Sequence, residues 1–229
     1  EGFTYLELGP GDSLATAIIA RAHGASGGYL IDAGAYASRS IDTYRRLMAK
    51  LKAEGNMRGM SELEDCRTVD EILEAADCTY WQDGIEALRR VPDASVDFIF
   101  SQAALEHVPL GEFADTCRQL YRIQRQAGVG SHRIDFQDHL GGSLNSLRFS
   151  ETLWEAAWFA PGSGFYTNRL RFSEVLDHFR AAGFEVDVRG VRRWDEIPLA
   201  PAKLDPAFRD LAEDDLLISG ALIGLRKNG

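Results

Sequence analysis

From residue 3 to residue 138, short apolar runs alternate with segments whose apolar residues recur at helical spacing, and this alternation restricts the possible folds more than any other feature. FTYLEL (3–8) breaks at GPGD and passes into SLATAIIARAHGA (13–25), which reads as strand, glycine turn and helix. GYLIDA (28–33) is a second apolar run ending in an acid. In IDTYRRLMAKLKAEG (41–55), Ile41, Tyr44, Leu47, Met48 and Leu51 share a helical face and Gly55 supplies a stop. TVDEILEAAD (68–77) predicts a short helix with Thr68 as N-cap and Glu71 three residues on, a capping-box arrangement. CTYWQD (78–83), VDFIFSQA (96–103) and SHRIDFQD (131–138) predict strands, separated by helical GIEALRRV (84–91) and GEFADTCRQLYRIQRQAG (111–128). Such an order implies a mostly parallel sheet covered on both faces.

After Asp138 the rhythm is interrupted by about thirty residues rich in Gly, Ser and aromatics, a composition that suits a lid or pocket wall better than a linker. A helix (172–183) and two strands (184–191 and 216–227) follow. Residues 1–229 are therefore expected to form one domain with a lid or acceptor-pocket insertion at 140–170. Because the first motif begins within a few residues of Glu1, the sequence is expected to start inside a longer protein.

Charge narrows the partners. Lys and Arg number 25 against 35 Asp and Glu, a formal net charge of -10 that repels nucleic-acid phosphates. The longest nearly uncharged apolar stretch, 216–225, is about half the ~20 residues that a membrane-spanning helix needs. Cys66, Cys78 and Cys117, odd in number and without CxxC spacing, form no disulfide or zinc framework, and a reducing cytoplasmic location is expected.

ELGPGDS (7–13) lies at the first strand-to-helix turn, where Gly9 and Gly11 flank Pro10, allow close approach of a ligand and stand before a helix N-terminus. Asp32 ends the next strand, where a carboxylate can accept both hydroxyl protons of a ribose. A dinucleotide fingerprint needs a third glycine three residues after Gly11, and Leu14 stands there, which disfavours NAD. Glu7 would repel a diphosphate and attract an ammonium or sulfonium centre, a combination that S-adenosylmethionine carries.

On these residues the chain resembles the class I S-adenosylmethionine-dependent methyltransferases over nearly its whole length. ELGPGDS resembles the family's first motif, with Ser13 where many members have a third glycine. Asp32 matches the ribose-binding acid. Asp83, followed by Gly84, falls where members often place an acid near the adenine amine. VDFIFSQAALEHV (96–108), with Ser101 and Gln102 as further cofactor contacts, resembles the fourth motif. The resemblance implies a doubly wound α/β fold, a Rossmann-like, mostly parallel seven-stranded sheet whose last strand (216–227) is inserted antiparallel between the fifth and sixth. It also implies S-adenosylmethionine as cofactor, S-adenosylhomocysteine as product and Glu7, Gly9, Pro10, Gly11, Asp32, Asp83, Gly84, Ser101 and Gln102 as cofactor-binding residues.

Acceptors bind beyond the C-terminal ends of the strands, and three of the five histidines fall there. The expected activity is O-methylation of a small molecule with His139 or His107 as general base, oriented by a carboxylate such as Asp138 or Glu106. Some methyltransferases ligate a divalent metal through ExxEH at this position; Ala103 replaces the first Glu here, which disfavours a metal, although His132, Asp138 or His139 are potential substitutes. Asn168, Arg169 and Arg171 are expected at the same rim, where an arginine would suit an anionic acceptor. The alternatives are a cofactor-binding module without catalysis and, less well supported, an NAD-dependent dehydrogenase. Acceptor identity and oligomeric state are not legible.

Overall fold

The computed structural model describes residues 2–55 and 61–228. Seven strands form one sheet in the order β3-β2-β1-β4-β5-β7-β6. They are β1 (Phe3–Leu8), β2 (Ala25–Ile31), β3 (Cys78–Trp81), β4 (Val96–Gln102), β5 (Gln124–Asp135), β6 (Phe184–Arg193) and β7 (Ile218–Lys227). The first five run parallel; β7 pairs antiparallel with both β5 and β6, the arrangement implied by the resemblance. Register brings Leu8, Ile31, Trp81 and Ser101 level at the C-terminal ends of the first four strands. Strand order reverses between β1 and β4, and a sheet of this kind opens its crevice at that reversal.

The helices are α1 (Ala15–Ala22), α2 (Ile41–Ala53), α3 (Ser61–Glu64), α4 (Val69–Ala75), α5 (Ile85–Arg90), α6 (Leu110–Ile123), α7 (Glu151–Trp154), α8 (Phe172–Ala181) and α9 (Glu213–Leu216). Alternation along β1 sends Tyr5 to one face and Leu6 and Leu8 to the other. Tyr5 joins Ile18, Leu30, Tyr44 and Ile72 in the core under α1, α2 and α4. Leu6 and Leu8 join Ile99, Phe113, Phe179 and Ile223 under α5, α6 and α8. The Thr68 cap is present, its Oγ1 accepting from the Glu71 amide at 3.2 Å; the Glu71 carboxylate reaches back one residue further than expected, to the Arg67 amide at 2.7 Å.

Two expectations are corrected. The helix predicted to reach residue 128 stops at Ile123, because Gln124 pairs with Val96 and starts β5, and its buried amide donates to the Gly128 carbonyl at 2.9 Å. Nor is the sheet covered on both faces throughout: α1 to α4 all precede β4 in the chain and pack over its first half, leaving Val129, Arg133 and Leu222 exposed on that face of β5 and β7. Among the described residues no helix is long and apolar enough to cross a membrane.

After β5 the chain makes a buried turn at Asp138, a 3₁₀ turn (Asn145–Arg148) and α7, and packs fully buried Trp154 among Phe149, Phe159, Phe165 and Tyr166. A second excursion, 194–217, has no clear sequence signature. It packs Leu199, Leu204 and Leu216 on Leu144 and Leu147, so the two excursions brace each other.

Candidate active site

One cavity of about 750 Å³ lies at the strand reversal, within the ~300–1,000 Å³ range of small-molecule sites. At one end the turn after β1 is held open by two glycines with positive φ, +75° at Gly9 and +64° at Gly11. Gly9 is required on space as well as conformation, since a Cβ there would sit 2.3 Å from the Ala104 Cβ. Asp32 ties three loops together. Its carboxylate accepts from the amides of Gly11 at 2.9 Å and Ala33 at 2.8 Å, and its carbonyl accepts from the Gly84 amide at 2.9 Å. Burial raises its pKa, while the two amides pull it down.

Gly9, Gly11, Asp32, Asp83 and Gly84 line the cavity together with Leu8, Ile31, Tyr36, Ile85 and Leu88. Asp83 is exposed and ion-paired with Arg90, whose guanidinium stacks 4.4 Å from the Trp81 ring. Glu7, Pro10, Ser101 and Gln102 are not among the lining residues. Glu7 lies on the Tyr5 side of β1, buried; burial foremost raises its pKa, and its Oε2 has no hydrogen-bond partner. Ser101 points into the core and bonds His132 Nδ1 at 2.8 Å; Ala103 and Ala104 occupy the wall where Ser101 and Gln102 were expected. Tyr36 was missed, although a lone aromatic in a loop of small residues four positions after Asp32 was a usable signal. Leu14 is buried and its amide is not free to donate to a ligand, because it donates to the Tyr44 hydroxyl at 3.1 Å. The place where a dinucleotide fingerprint needs its third glycine is thus filled by a side chain.

The other end is formed by His107, Val108, Pro109, Glu112 and Thr116, with Pro161, Gly164 and Tyr166 from the 140–170 segment. His107 Nδ1 lies 2.9 Å from the Tyr166 carbonyl, which can only accept, so Nδ1 carries the proton and Nε2 keeps a free lone pair. Desolvation lowers the His107 pKa, His139 adds to that effect, and the Tyr166 bond and Asp135 oppose it. The net effect favours the neutral imidazole.

The other acceptor-side candidates have different commitments. The His139 ring packs against His107 with centroids 4.9 Å apart but does not line the cavity. Asp138 is buried and accepts from the amides of Leu140, Ser143 and Ser146 at 2.9, 3.3 and 3.0 Å; it organises its own turn and does not orient His139. His132 is enclosed in the core, stacked on Phe179, and burial pushes its pKa down to about 4. Arg169 donates to the carbonyls of Ser146 and Phe149, and Arg171 to those of Phe136, Asp215 and Ile218. Both arginines are buried structural cations, not acceptor ligands, because their donors satisfy carbonyls at the ends of irregular segments. Among the described residues no group of three or more His, Cys, Asp and Glu is placed to hold a metal ion. The cavity wall carries Asp32, Asp83, Glu86 and Glu112 and, among the described residues, no Lys or Arg.

Glu106, expected to orient a histidine, is buried below the cavity; its Oε1 accepts from the Asp135 amide at 3.3 Å and its Oε2 has no partner. Desolvation pushes its pKa up to about 7 from 4.5. The fold therefore favours the neutral acid: stability is highest below the unfolded value of 4.5 and falls as pH rises through about 7, where the buried group ionises. Glu106→Gln keeps the acceptor for Asp135 and removes the charge. It is expected to be more stable than the wild type near pH ~8 by up to about 3 kcal/mol and to lose that advantage near pH ~4. Denaturant unfolding across pH measures this difference.

Searches against protein-family models and curated proteins give no match. Solved structures give the fold: the chain has the fold of class I S-adenosylmethionine-dependent methyltransferases. It is similar to an S-adenosylmethionine dependent methyltransferase from Mesorhizobium loti at 18% identity, covering 99% of this chain and 91% of that one with a TM-score of 0.51. YcgJ protein from Bacillus subtilis matches at 15% identity over 100% and 93% of the two chains, with a TM-score of 0.51. Phosphoethanolamine N-methyltransferase 2 from Haemonchus contortus, in complex with S-adenosyl-L-methionine, matches at 13% identity and TM-score 0.51, covering 100% of this chain and 49% of that one.

Proposed function

We propose that the protein is an S-adenosylmethionine-dependent methyltransferase acting at oxygen on a small acceptor, with His107 as general base. The observation that carries this reading is one cavity joining the Gly9–Gly11 turn and Asp32 at one end to His107, its Nδ1 bonded to the Tyr166 carbonyl, at the other. The residues fit the cofactor on three counts. Gly9 and Gly11 leave backbone open to a ligand, Asp32 presents a carboxylate beside apolar Ile31, Ile85 and Leu88, and the cavity wall is acidic, as a sulfonium and an ammonium group require. Glu7 lies behind the turn, buried and off the cavity wall, so its carboxylate would act on a bound ammonium only across the turn.

S-adenosylmethionine, when bound, supplies an electrophilic methyl group on a sulfonium centre. Asp32 and the glycine turn bind and orient it; Pro161, Gly164 and Tyr166 of the 140–170 segment wall the acceptor and exclude water. His107 Nε2 would accept the acceptor's hydroxyl proton, and the resulting imidazolium would later release it to solvent. With carboxylates and, among the described residues, no lysine or arginine on the wall, a neutral or positively charged acceptor is favoured over an anionic one.

Thermal unfolding tests the cofactor: S-adenosylhomocysteine should raise Tm and NAD should not, since only a ligand of the native state stabilises it. A shift with NAD alone would select the dehydrogenase reading. For the base, His107→Ala is expected to lower kcat ~10²–10⁴-fold while leaving S-adenosylhomocysteine affinity within about threefold. Because the base works only when neutral and its pKa lies below the ordinary histidine range, wild-type kcat/KM should be flat at and above neutral pH and fall on the acid side, below about 6.5. Full turnover in the variant would eliminate His107. Cofactor binding without transfer to any acceptor would favour a binding module.

A further inference from the structure

We infer that Asn168 is a positioning residue for His107: it clamps both ends of the turn that carries the histidine, while Tyr166, two residues away, fixes the ring through its main-chain carbonyl. The inference rests on the proposed role of His107 as base. The turn is the 3₁₀ segment Leu105–His107, too short to hold itself rigid. Asn168 is buried, and its Nδ2 donates to the carbonyls of Leu105 at 2.9 Å and Val108 at 3.0 Å, one on each side of His107. Its own amide donates to the Glu106 carbonyl at 2.8 Å, and its Oδ1 accepts from the Leu170 amide at 3.1 Å. Both amide hydrogens and the carbonyl oxygen of the side chain are thereby engaged. No other residue type of this size offers two donors and an acceptor on one planar group.

The clamp is itself held from behind. Trp154 Nε1 donates to the Thr167 carbonyl at 2.7 Å, and the Tyr166 hydroxyl joins Glu155 at 3.1 Å and the Leu110 amide at 3.0 Å. Arg169 turns the chain in a left-handed conformation, φ +63°, a strained state for a non-glycine residue that its buried guanidinium helps to hold. Four consecutive residues, 166–169, are therefore pinned, and two of them, Tyr166 and Asn168, hold the His107 turn. With Nδ1–H committed to the Tyr166 carbonyl, the bare Nε2 is left for the acceptor. The charged and titratable groups around the ring are His139, Asp135, Glu106 on the turn itself and Glu112 on the cavity wall; none hydrogen-bonds His107, so the main chain alone selects the tautomer.

Histidine-selective ¹⁵N NMR on the full chain tests this, with the His107 signal assigned by its loss in His107→Ala. In the wild type, neutral His107 should be the Nδ1–H tautomer. Asn168→Asp keeps the shape but cannot donate to either carbonyl, and Asn168→Ala removes both bonds. In each variant the Nδ1–H tautomer should cease to predominate, while the dissociation constant for S-adenosylhomocysteine stays within about threefold. A wild-type His107 protonated at Nε2, a measurement that needs no folded variant, would overturn the proposal. So would an unchanged tautomer in either variant. Failure of the wild type to bind S-adenosylhomocysteine would instead count against the methyltransferase reading, and the tautomer result would stand apart from it.

Discussion

Gly9→Val should abolish cofactor binding and destabilise the protein. Two costs add. Valine at φ +75° adopts a conformation that a β-branched residue resists by ~1–3 kcal/mol, and its Cβ would fall 2.3 Å from the Ala104 Cβ, an overlap that forces backbone movement at another ~1–3 kcal/mol. For a chain of this length each kcal/mol moves Tm by ~2–4 °C, so a drop of roughly 4–24 °C is expected. Relief of the overlap pushes apart the turn after β1 and the Ala103–Ala104 wall, the two surfaces between which a ligand would enter. The S-adenosylhomocysteine-dependent Tm shift should vanish, and calorimetric affinity should fall at least ~100-fold, about 2.7 kcal/mol. Gly11→Ala is the informative partner. No atom lies within 4 Å of its added Cβ, so stability should fall by only about 1 kcal/mol, from the positive φ alone. A Gly9 variant with wild-type Tm and a wild-type ligand shift would remove the turn from the site.

Asp32→Asn separates charge from shape. In the wild type the carboxylate already accepts from Gly11 and Ala33; an amide offers one acceptor atom and turns an N–H toward the other donor. Burial disfavours the ionised acid, so removing the charge offsets part of that loss and net stability should change by about 1 kcal/mol or less. Ligand binding should respond far more. A carboxylate accepting ribose hydroxyls makes charge-assisted bonds of ~1.5–3 kcal/mol each, so affinity for S-adenosylhomocysteine should drop roughly 10–100-fold. Asp83→Asn is the control: its carboxylate is exposed and spent on Arg90, and less than about a fivefold loss is expected. Equal losses at the two positions, measured by calorimetry, would mean that Asp32 has no special role.

Both variants test residues that were readable before any coordinates, and the reason is local. Glycines at a strand-to-helix turn and an acid 21 residues later are properties of short stretches whose backbone conformation follows from residue type and period. The acceptor side was less legible because its side chains are committed to distant partners. Asp138 was expected beside a base and instead caps its own turn; Ser101 was expected at the cofactor and instead bonds a histidine 31 residues away, across the β4–β5 pair. Arg169 and Arg171 read as rim cations and are interior ones, since carbonyls left unpaired by the irregular 140–170 and 194–217 segments recruit them.

What the sequence by itself determined was the order of strands and helices, the glycine turn, Asp32 and, through a resemblance in four short motifs, the antiparallel last strand. These depend on periodicity and backbone freedom, which act over a few residues. Only the tertiary structure decided which of three acceptor-side histidines opens on the cavity. His132 and His107 are similar in sequence terms, each placed near the end of a strand with polar neighbours. Packing buries the first behind Phe179 and leaves the second with Nδ1 on a carbonyl 59 residues away and Nε2 free. The difference arises from desolvation and from a hydrogen bond made by a distant segment, neither of which leaves a mark in the local sequence.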